Sequence, residues 1–422
     1  MKRRNFLQNS IGLAGLASTP ILFAAQEEVT QHIKKSNQNA QTQFDVIVLG
    51  VGSMGASSCY YLAKQGVKVL GLEQFDIPHE LGSHAGQSRI IRKAYFEHPD
   101  YVPLLERAYE NWKQLEAGTG SQVYFKTGLF YAGKSDQVLI KGVRESAEKY
   151  KLKVESLSAN EVASRFPQFQ IPKNYEVLFE PDAGFLTPEK AISLYVEQAI
   201  RVGADVHTNE KVISWEKRGD TISVTTERNK YDCKKLIITA GPWAGKMIPG
   251  FSSQLKVTRQ LIAWVNPKVW KPFELGQFPC WLIDDDTQHG MYYGFPVLPT
   301  EKFGGPNGLK VALHYPGQVC DPDAVDRTPN KEEEENLKQA LGKFLPQGYS
   351  STHVLKTCLY TNTTDENFVL DFLPGYDNDV MIAAGFSGHG FKFVSVVGEI
   401  MADLAMKGET KMPIGFLSAG RF

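Results

Sequence analysis

The sequence has no surplus of either charge. Its 46 lysines and arginines are balanced by 47 aspartates and glutamates, which gives a net charge of −1. This balance argues against nucleic acid and anionic membrane surfaces as partners. The chain also lacks an uninterrupted apolar run of about 20 residues, which a membrane-spanning helix requires. We therefore expect no stable membrane insertion of the mature chain.

Cysteine is scarce and irregularly spaced. An odd number of cysteines without a CxxC pair or a framework spacing argues against a disulfide scaffold. The sequence has no His/Cys cluster of the kind that holds zinc or an iron–sulfur centre, so no metal site is predicted. The cysteines are Cys59, Cys233, Cys280, Cys320 and Cys358.

A glycine-rich turn stands between a predicted strand, 44–49, and a predicted helix, 56–65; it reads Gly50-Val51-Gly52-Ser53-Met54-Gly55. In such a turn the first glycine bends the chain, the second lets backbone approach a pyrophosphate, and the third packs helix on strand. The helix N-terminus favours phosphate. A second strand, 67–72, ends at Glu73, near the usual spacing of about 20 for a ribose-binding acid. The chain is predicted to bind an adenine dinucleotide.

Beyond Glu73 the regular alternation of a nicotinamide-dependent dehydrogenase is missing. An irregular loop, 75–92, follows, and the next apolar strand of this type comes only at 236–241. A strand at 380–384 and a helix near 391–407 end the pattern.

Other predicted elements lie between these pieces. Helices are predicted at 188–202 and 331–344, and segment 255–320 is typical of a twisted sheet. We predict an α/β chain, α+β overall, with a Rossmann-like domain interwoven with a mixed-sheet substrate domain. The dinucleotide domain is predicted to comprise 44–127, 190–257 and 362–422, and the substrate domain 128–189 and 258–361.

The first 25 residues are typical of an export signal. Arg3 and Arg4 precede Phe6 and Leu7, and a weakly apolar stretch, 11–25, follows. This pattern resembles a twin-arginine signal and predicts export to the periplasm or a similar compartment by the twin-arginine machinery. An uncleaved anchor and a disordered basic tail are the alternatives. The next segment, 26–43, is a predicted polar linker.

A second glycine-rich turn lies near the C-terminus. Gly385, Gly388 and Gly390 lie between a predicted strand and helix, and Lys392 follows them. The glycines allow close approach of a ligand, and a cation at a helix start needs an anionic partner. A surface lysine after a tight turn is the alternative.

Other candidates have equally ordinary explanations at this point. Arg89 and Arg92 would share a face if their segment were helical, but surface ion pairs would explain them too. Cys358 could be a small buried apolar residue. The spacing of Lys310 and His314 indicates nothing by itself.

Taken together, these positions resemble the monomeric sarcosine oxidase family of flavoprotein amine oxidases, which includes N-methyltryptophan and pipecolate oxidases. The similar blocks run from residue 44 to the end; they are Gly-Ser-Met-Gly in the first turn, Gly-Gln-Ser-Arg89-Ile-Ile-Arg92, Tyr-Tyr293-Gly-Phe-Pro, Gly-Leu-Lys310, Cys358-Leu-Tyr360-Thr, and Gly-Phe-Ser-Gly-His-Gly-Phe-Lys392. One block departs from the bacterial sarcosine and N-methyltryptophan enzymes. Their second histidine in Ser-His-His-Gly-Asp-Thr-Arg is Ala85 here, and the loop is closer to that of pipecolate oxidases.

The resemblance implies that the dinucleotide is FAD, bound in a glutathione-reductase-type domain and attached covalently from Cys358 to the flavin 8α-methyl. It implies that Arg92 and Lys392 bind a substrate carboxylate and that Lys310 promotes the reaction of reduced flavin with oxygen. The remaining implied site residues are Arg89, Ser83 and Tyr360 beside the flavin, and Tyr293 and His314 beside the substrate amine.

The sequence thus predicts an exported, monomeric, FAD-dependent oxidase of an amino acid with a secondary amine. An N-methyl or cyclic amino acid would become an imine, and oxygen would become hydrogen peroxide. A flavin dehydrogenase that passes electrons to a quinone is an alternative, against which Lys310 argues. A non-catalytic flavoprotein binding module is another, and it should not combine Lys310, Arg92 and Lys392. The particular amino acid stays open among sarcosine, N-methyltryptophan, pipecolate and proline.

Overall fold

A computed structural model describes residues 42–287, 290–315 and 317–422. The predicted export signal lies outside these residues, and so does all but the last part of the predicted linker. Gln43, which we assigned to the linker, is already the first residue of strand β1 (Gln43–Leu49). Within the described part of the chain, no helix is long and apolar enough to cross a membrane.

The described residues form three sheets and a set of helices. In chain order the strands are β1, β2 (Val69–Leu72), β3 (Arg89–Ile91), β4 (Tyr124–Lys126), β5 (Leu129–Gly133), β6 (Glu155–Leu157), β7 (Glu176–Glu180), β8 (Gly184–Leu186), β9 (Asp205–His207), β10 (Val212–Arg218), β11 (Thr221–Thr226), β12 (Lys230–Ile238), β13 (Lys256–Asn266), β14 (Cys280–Asp285), β15 (Gly290–Phe295), β16 (Leu309–Tyr315), β17 (Gln318–Val319), β18 (Ser351–Asn362), β19 (Val369–Phe372) and β20 (Val380–Ala384). The helices are α1 (Ser53–Lys64), α2 (Val102–Thr119), α3 (Val138–Tyr150), α4 (Ala159–Arg165), α5 (Pro188–Arg201), α6 (Ala244–Met247), α7 (Thr300–Phe303), α8 (Lys331–Phe344) and α9 (Val394–Lys407).

The first sheet contains the parallel strands that a dinucleotide-binding fold requires. β1 lies between β2 and β12, β9 extends the sheet beyond β2, and β20 pairs in parallel with β12. Antiparallel β10, β11 and β19 complete it. β2 is buried along its whole length and β1 along most of it, as expected for strands covered on both faces. Three distant stretches of the chain therefore converge on one sheet.

The second sheet is larger and mostly antiparallel. Its nine strands run in the order β17-β13-β16-β15-β14-β5-β7-β6, with β18 paired to β13. A small third sheet has the order β3-β8-β4. The strands of the second sheet come from 129–180 and 256–362, close to the predicted substrate domain. The domain boundaries themselves stay a prediction.

Several element predictions need adjustment. Helix α1 begins at Ser53 rather than at residue 56, because Gly52 already serves as its N-cap. The loop predicted at 75–92 contains a strand, β3. The helix predicted near 391–407 opens with a 3₁₀ turn, Phe391–Phe393, before α9. The helices predicted at 188–202 and 331–344 are confirmed as α5 and α8.

Helix α9 packs closely on α1 through Gly398. A Cβ at this position would lie 2.5 Å from Ser57 Oγ and 2.6 Å from Ser57 C. We expect Gly398→Ala to lower the free energy of unfolding by about 1–3 kcal/mol through overpacking. The loss should appear as a lower Tm and a lower denaturant midpoint.

Gly342→Ala is the matched control. Gly342 lies on the exposed face of α8, and a Cβ there would meet no atom within 4 Å. Alanine should therefore stabilise this helix by about 0.5–1 kcal/mol. Similar effects of the two substitutions would contradict the packing argument.

Candidate active site

A cavity of about 490 Å³ lies at the carboxyl ends of the parallel strands in the first sheet. Gly50 follows β1, Glu73 follows β2, Thr239 follows β12 and Gly385 follows β20, and all four line the cavity. Open parallel sheets bind ligands at this edge. The predicted dinucleotide site thus lies where three separate stretches of the chain meet.

The first glycine turn leaves room for a phosphate at the start of α1. A Cβ at Gly52 would meet no atom within 4 Å, and no side chain caps the helix. A Cβ at Gly55 would lie 1.9 Å from Gly50 O, so only glycine permits this packing of helix on strand. The free N–H groups of the first helical turn are therefore available to an anion.

Two further groups fit a nucleotide cofactor. Glu73 accepts hydrogen bonds from Val51 N (2.9 Å) and Phe75 N (3.1 Å), and burial raises the pKa of its carboxyl to about 7. His84 also lines the cavity, and its buried Nε2 has no hydrogen-bond partner among the described residues. An orphaned buried polar atom beside a cavity is a position that a polar ligand can satisfy.

Arg92 and Lys392 also line the cavity, and both lie beside the ring of Tyr95. The Arg92 guanidinium is 4.2 Å from the centre of the Tyr95 ring, and Lys392 Nζ is 5.1 Å from the same centre. Lys392 Nζ donates to His389 O at 2.6 Å. Arg92 is also paired with Glu97, whose two carboxylate oxygens lie 2.6 and 2.7 Å from Nη2. Both cations therefore face one acidic partner in a buried position.

Burial and charge act in opposite directions on this cluster. Burial lowers the pKa of Lys392 to about 7, Arg92 adds to the effect and Glu97 opposes it. Burial alone would raise the pKa of Glu97, but Arg92, His389 and Lys392 lower it to about 2. Glu97 is thus ionised at neutral pH, and Lys392 is close to its titration point.

The loop before β3 surrounds Arg89, which is half-buried. Its Nη2 donates to Ala85 O (2.6 Å) and Ser83 O (3.0 Å) and lies 3.5 Å from Cys358 Sγ. The Cys358 thiol also donates to Ser83 O at 3.4 Å. Ser83 and Arg89 line the cavity, whereas Cys358 and Lys310 are not among its lining residues. Cys358, predicted to carry the flavin, and Lys310, predicted to promote its reaction with oxygen, both contact this loop.

Three ring side chains form one cluster in the lining of the cavity. Tyr293, His314 and Tyr360 all line the cavity, and His314 Nδ1 lies 3.2 Å from the Tyr360 hydroxyl. Tyr293 and His314 pack edge to face, with ring centroids 6.1 Å apart. Burial lowers the pKa of His314 to about 3, so its ring is neutral at neutral pH.

The structure places most of the predicted site residues around this cavity. Gly55, Lys310 and Cys358 do not line it, and the positions that do are Gly50, Gly52, Ser53, Met54, Glu73, Ser83, Arg89, Arg92, Tyr293, His314, Tyr360, Gly385, Gly388, Gly390 and Lys392. The condition under which Arg89 and Arg92 would share a face, a helical segment, is not met. Arg89 begins β3 (Arg89–Ile91), which pairs with β8, and Arg92 follows its last residue.

Sequence reasoning missed two acids and an apolar residue of the site. Glu97 pairs with Arg92, Leu282 lines the cavity, and Glu189 binds the loop before β3. Glu97 and Leu282 belong to no motif. The only signal for Glu189 was its place beside Pro188, in the first turn of a predicted helix.

The fold and the cavity define a two-part α/β protein that binds an adenine dinucleotide. Residues 45–404 match the model of the DAO family, described as FAD dependent oxidoreductases. The chain is 39% identical over 385 residues to monomeric sarcosine oxidase of Bacillus sp. (strain NS-129), covering 90% of this chain and 97% of that protein. It is 33% identical over 384 residues to N-methyl-L-tryptophan oxidase of Yersinia pestis (strain Pestoides F), covering 90% and 99%.

A human relative and a solved structure agree with this assignment. Peroxisomal sarcosine oxidase of Homo sapiens is 35% identical over 371 residues, covering 86% of this chain and 92% of that protein. NikD, an unusual amino acid oxidase essential for nikkomycin biosynthesis, has the same fold, with a TM-score of 0.78 at 24% identity and coverage of 90% and 98%. The chain belongs to the family of FAD-dependent oxidoreductases.

The pairing of Arg92 with Glu97 predicts competition between Glu97 and an added carboxylate. We expect Glu97→Gln to bind acetate about tenfold more tightly, a gain of about 1.4 kcal/mol, because the amide leaves Arg92 without a charged partner. Isothermal titration calorimetry would measure the change. The same substitution should lower Tm, since it leaves a buried guanidinium unpaired.

Glu301→Gln is the control for this experiment, because Glu301 is an exposed acid of α7. It should leave both Tm and acetate binding unchanged. Acetate binding to Glu97→Gln that equals or falls below that of the original protein would contradict the competition.

Proposed function

We propose that this chain is an FAD-dependent oxidase of an amino acid that carries a secondary amine. The observation that carries the proposal is the pair of buried cations, Arg92 and Lys392, in the lining of a cavity that also fits a dinucleotide. Similarity to sarcosine and N-methyl-L-tryptophan oxidases supports the same reaction class. When bound, FAD would supply the acceptor for a hydride equivalent from the carbon beside the amine, which leaves an imine, and oxygen would take up the two electrons with two protons as hydrogen peroxide.

Binding of the substrate carboxylate requires Glu97 to release Arg92. The exchange replaces one carboxylate by another, so the buried guanidinium keeps an anionic partner throughout. Arg92 offers a planar fork that suits a bidentate contact, and Lys392 adds a compact charge. These two contacts would fix the amino acid with its amine toward Tyr293 and His314.

The walls around the amine are neutral. With its low pKa, His314 is a poor acceptor for a proton from the substrate. The amine therefore has to lose its proton to water before it can react. Tyr293 and Tyr360 then exclude bulk water from the reacting bond. Apolar Leu282 on the same wall leaves room for an N-methyl group or a ring rather than for a second charge.

We propose that the cations near the loop before β3 act on the flavin rather than on the substrate. Lys310 is 1% exposed, and a fixed cation in such a site favours developing negative charge on oxygen. Cys358 is proposed to carry FAD through a thioether to the 8α-methyl. The contacts of its Sγ with Arg89 Nη2 (3.5 Å) and Ser83 O (3.4 Å) support this role, because they place the sulfur beside two residues that line the cavity.

Residues 1–25 are proposed to direct export by the twin-arginine route to the periplasm or a similar compartment, where the mature protein would act as a monomer. The paired Arg3 and Arg4 support this assignment. Cell fractionation tests it, because replacing both arginines with lysine should leave the protein in the cytoplasm. An unchanged distribution would count against the signal.

A substrate panel tests the proposed reaction. The protein without residues 1–25 would be mixed under nitrogen with sarcosine, N-methyl amino acids, L-pipecolate and L-proline, and flavin bleaching followed. Air would then be admitted and peroxide measured. Bleaching by one substrate followed by peroxide supports the oxidase. Bleaching without peroxide indicates a dehydrogenase that uses another acceptor, and no bleaching would contradict the proposed substrate class.

Covalent attachment predicts a simple result for Cys358→Ser. Acid precipitation should leave yellow flavin on the pellet of the original protein and release it from the variant, because serine cannot form the thioether. Cys280→Ser is the control. Cys280 is a buried thiol in β14 whose Sγ lies 3.3 Å from Thr127 Oγ1, whereas the Sγ of Cys358 contacts the loop before β3. Flavin retained by precipitated Cys358→Ser would contradict the attachment site.

The two ends of the substrate predict pH effects on kcat and KM that oppose each other in kcat/KM. At saturating substrate, kcat should rise from neutral pH to about 9, because more of the bound amine is unprotonated. KM should rise as well, because Lys392 loses its positive charge as the pH passes through about 7. Steady-state peroxide formation over this range measures both. A kcat that falls with rising pH would contradict an unprotonated amine as the reacting species.

A further inference from the structure

The carboxylate of Glu189 binds the backbone of the turn before β3. Glu189 Oε1 accepts hydrogen bonds from the backbone N–H groups of Gly86 (2.7 Å) and Gln87 (3.0 Å). Both turn residues have positive φ, +120° at Gly86 and +70° at Gln87. A non-glycine residue in this region is strained and persists only where its surroundings hold it. Glu189 therefore stabilises a conformation that the turn would not favour alone.

The same turn supplies the partners of Lys310. Lys310 Nζ donates to Gly86 O at 2.5 Å and to Ser88 O at 2.7 Å. Its ammonium also lies 4.5 Å from the centre of the Phe295 ring and 5.7 Å from that of Trp264. The peptide group that donates to Glu189 from Gln87 N thus presents Gly86 O to Lys310 on its opposite side. Movement of the turn would move the ligands of the lysine.

Glu189 is well placed to stabilise the turn. It lies in the first turn of α5, directly after Pro188, where the helix dipole favours an acidic side chain. The turn is also held by Gln87, whose side chain donates to Gly304 O and accepts from Trp264 Nε1. These contacts fix one side of the turn, and Glu189 fixes the other.

Glu189 is also the carboxylate that raises the pKa of the buried Lys310 most. Burial holds the pKa of Lys310 well below its usual range, and Arg89 lowers it further. Glu189 acts in the opposite direction, followed by the Cys358 and Cys280 thiols. These are the charged and titratable groups that face Lys310 from β3, α5, β18 and β14.

We propose that Glu189 is a positioning residue for oxygen reduction, which acts through Lys310 by fixing the turn whose carbonyl groups bind the lysine and by placing an opposite charge near it. The proposal rests on the oxygen role proposed for Lys310. It assigns a role to an acid that no sequence motif includes. Glu189 does not contact the substrate end of the cavity, so substrate oxidation should not depend on it directly.

Two substitutions separate the charge of Glu189 from its hydrogen bonds. Glu189→Gln keeps an oxygen acceptor for the turn but removes the charge. The rate constant for reoxidation of reduced flavin by oxygen should fall as the pH rises, with a midpoint about one pH unit lower in Glu189→Gln than in the original protein. Above that midpoint the variant should be slower than the original protein by about tenfold. Glu189→Ala should slow reoxidation at every pH. Anaerobic flavin reduction by substrate should change little in either variant.

Hydrogen exchange gives a readout that does not depend on turnover. Deuterium uptake by the peptide that covers residues 83–89 should increase in Glu189→Ala, because two amides lose their acceptor, and much less in Glu189→Gln. Thermal unfolding would show whether each variant remains folded, and the isosteric glutamine variant keeps the test valid if alanine does not fold. Unchanged exchange in Glu189→Ala would contradict the positioning role.

Two control variants decide what a failure means. Glu197→Gln, an exposed acid on the same helix, should match the original protein in every measurement. Lys310→Met should slow reoxidation much more than reduction. If Lys310→Met is slow but Glu189→Gln reoxidises with the original rate and pH profile, the role of Glu189 is refuted alone. If Lys310→Met reoxidises normally, the oxygen role of Lys310 fails and the role of Glu189 fails with it.

Discussion

Buried positive charge is the constraint on which this site depends. Arg92, Lys310 and Lys392 are 3%, 1% and 5% exposed, and an ionised group at such depth is unstable without compensating partners. Glu97 compensates Arg92 and Lys392, while Glu189 and two backbone carbonyls compensate Lys310. The cations are therefore held in place before any substrate arrives. Preorganised charge of this kind does not have to reorient when the reaction begins.

The scaffold explains how such charges meet. β1, β12 and β20 bring distant parts of the chain to one sheet, and their carboxyl ends open on the same cavity. The second sheet supplies Lys310 from β16 and Cys358 from β18, both beside the loop that precedes β3. The two sheets thus contribute different parts of the site. The first sheet holds the dinucleotide, and the second brings the groups that would act on its reactive end.

The sequence predicted the elements that are determined by local residue patterns. The β1–α1–β2 unit followed from its glycines and Glu73. The bounds of α8 followed from a charged segment at 331–344, and the structure adds a capping box at Asn330. The roles of Glu97 and Glu189 could not be predicted, because they depend on contacts that form only in the folded chain. The relation of Arg89 to Arg92 stayed open for a similar reason. Pairing of β3 with β8, far along the chain, overrides the local helical spacing.

The central claim is that the buried cations select an amino acid by its carboxylate. The most direct test compares each substrate with the amine that lacks only this group: sarcosine with dimethylamine, L-pipecolate with piperidine, and L-proline with pyrrolidine. The account predicts that kcat/KM falls at least about a hundredfold without the carboxylate, as expected for the loss of two charge-assisted contacts of about 1.5 kcal/mol or more each. Comparable kcat/KM values for an amino acid and its matched amine would contradict it.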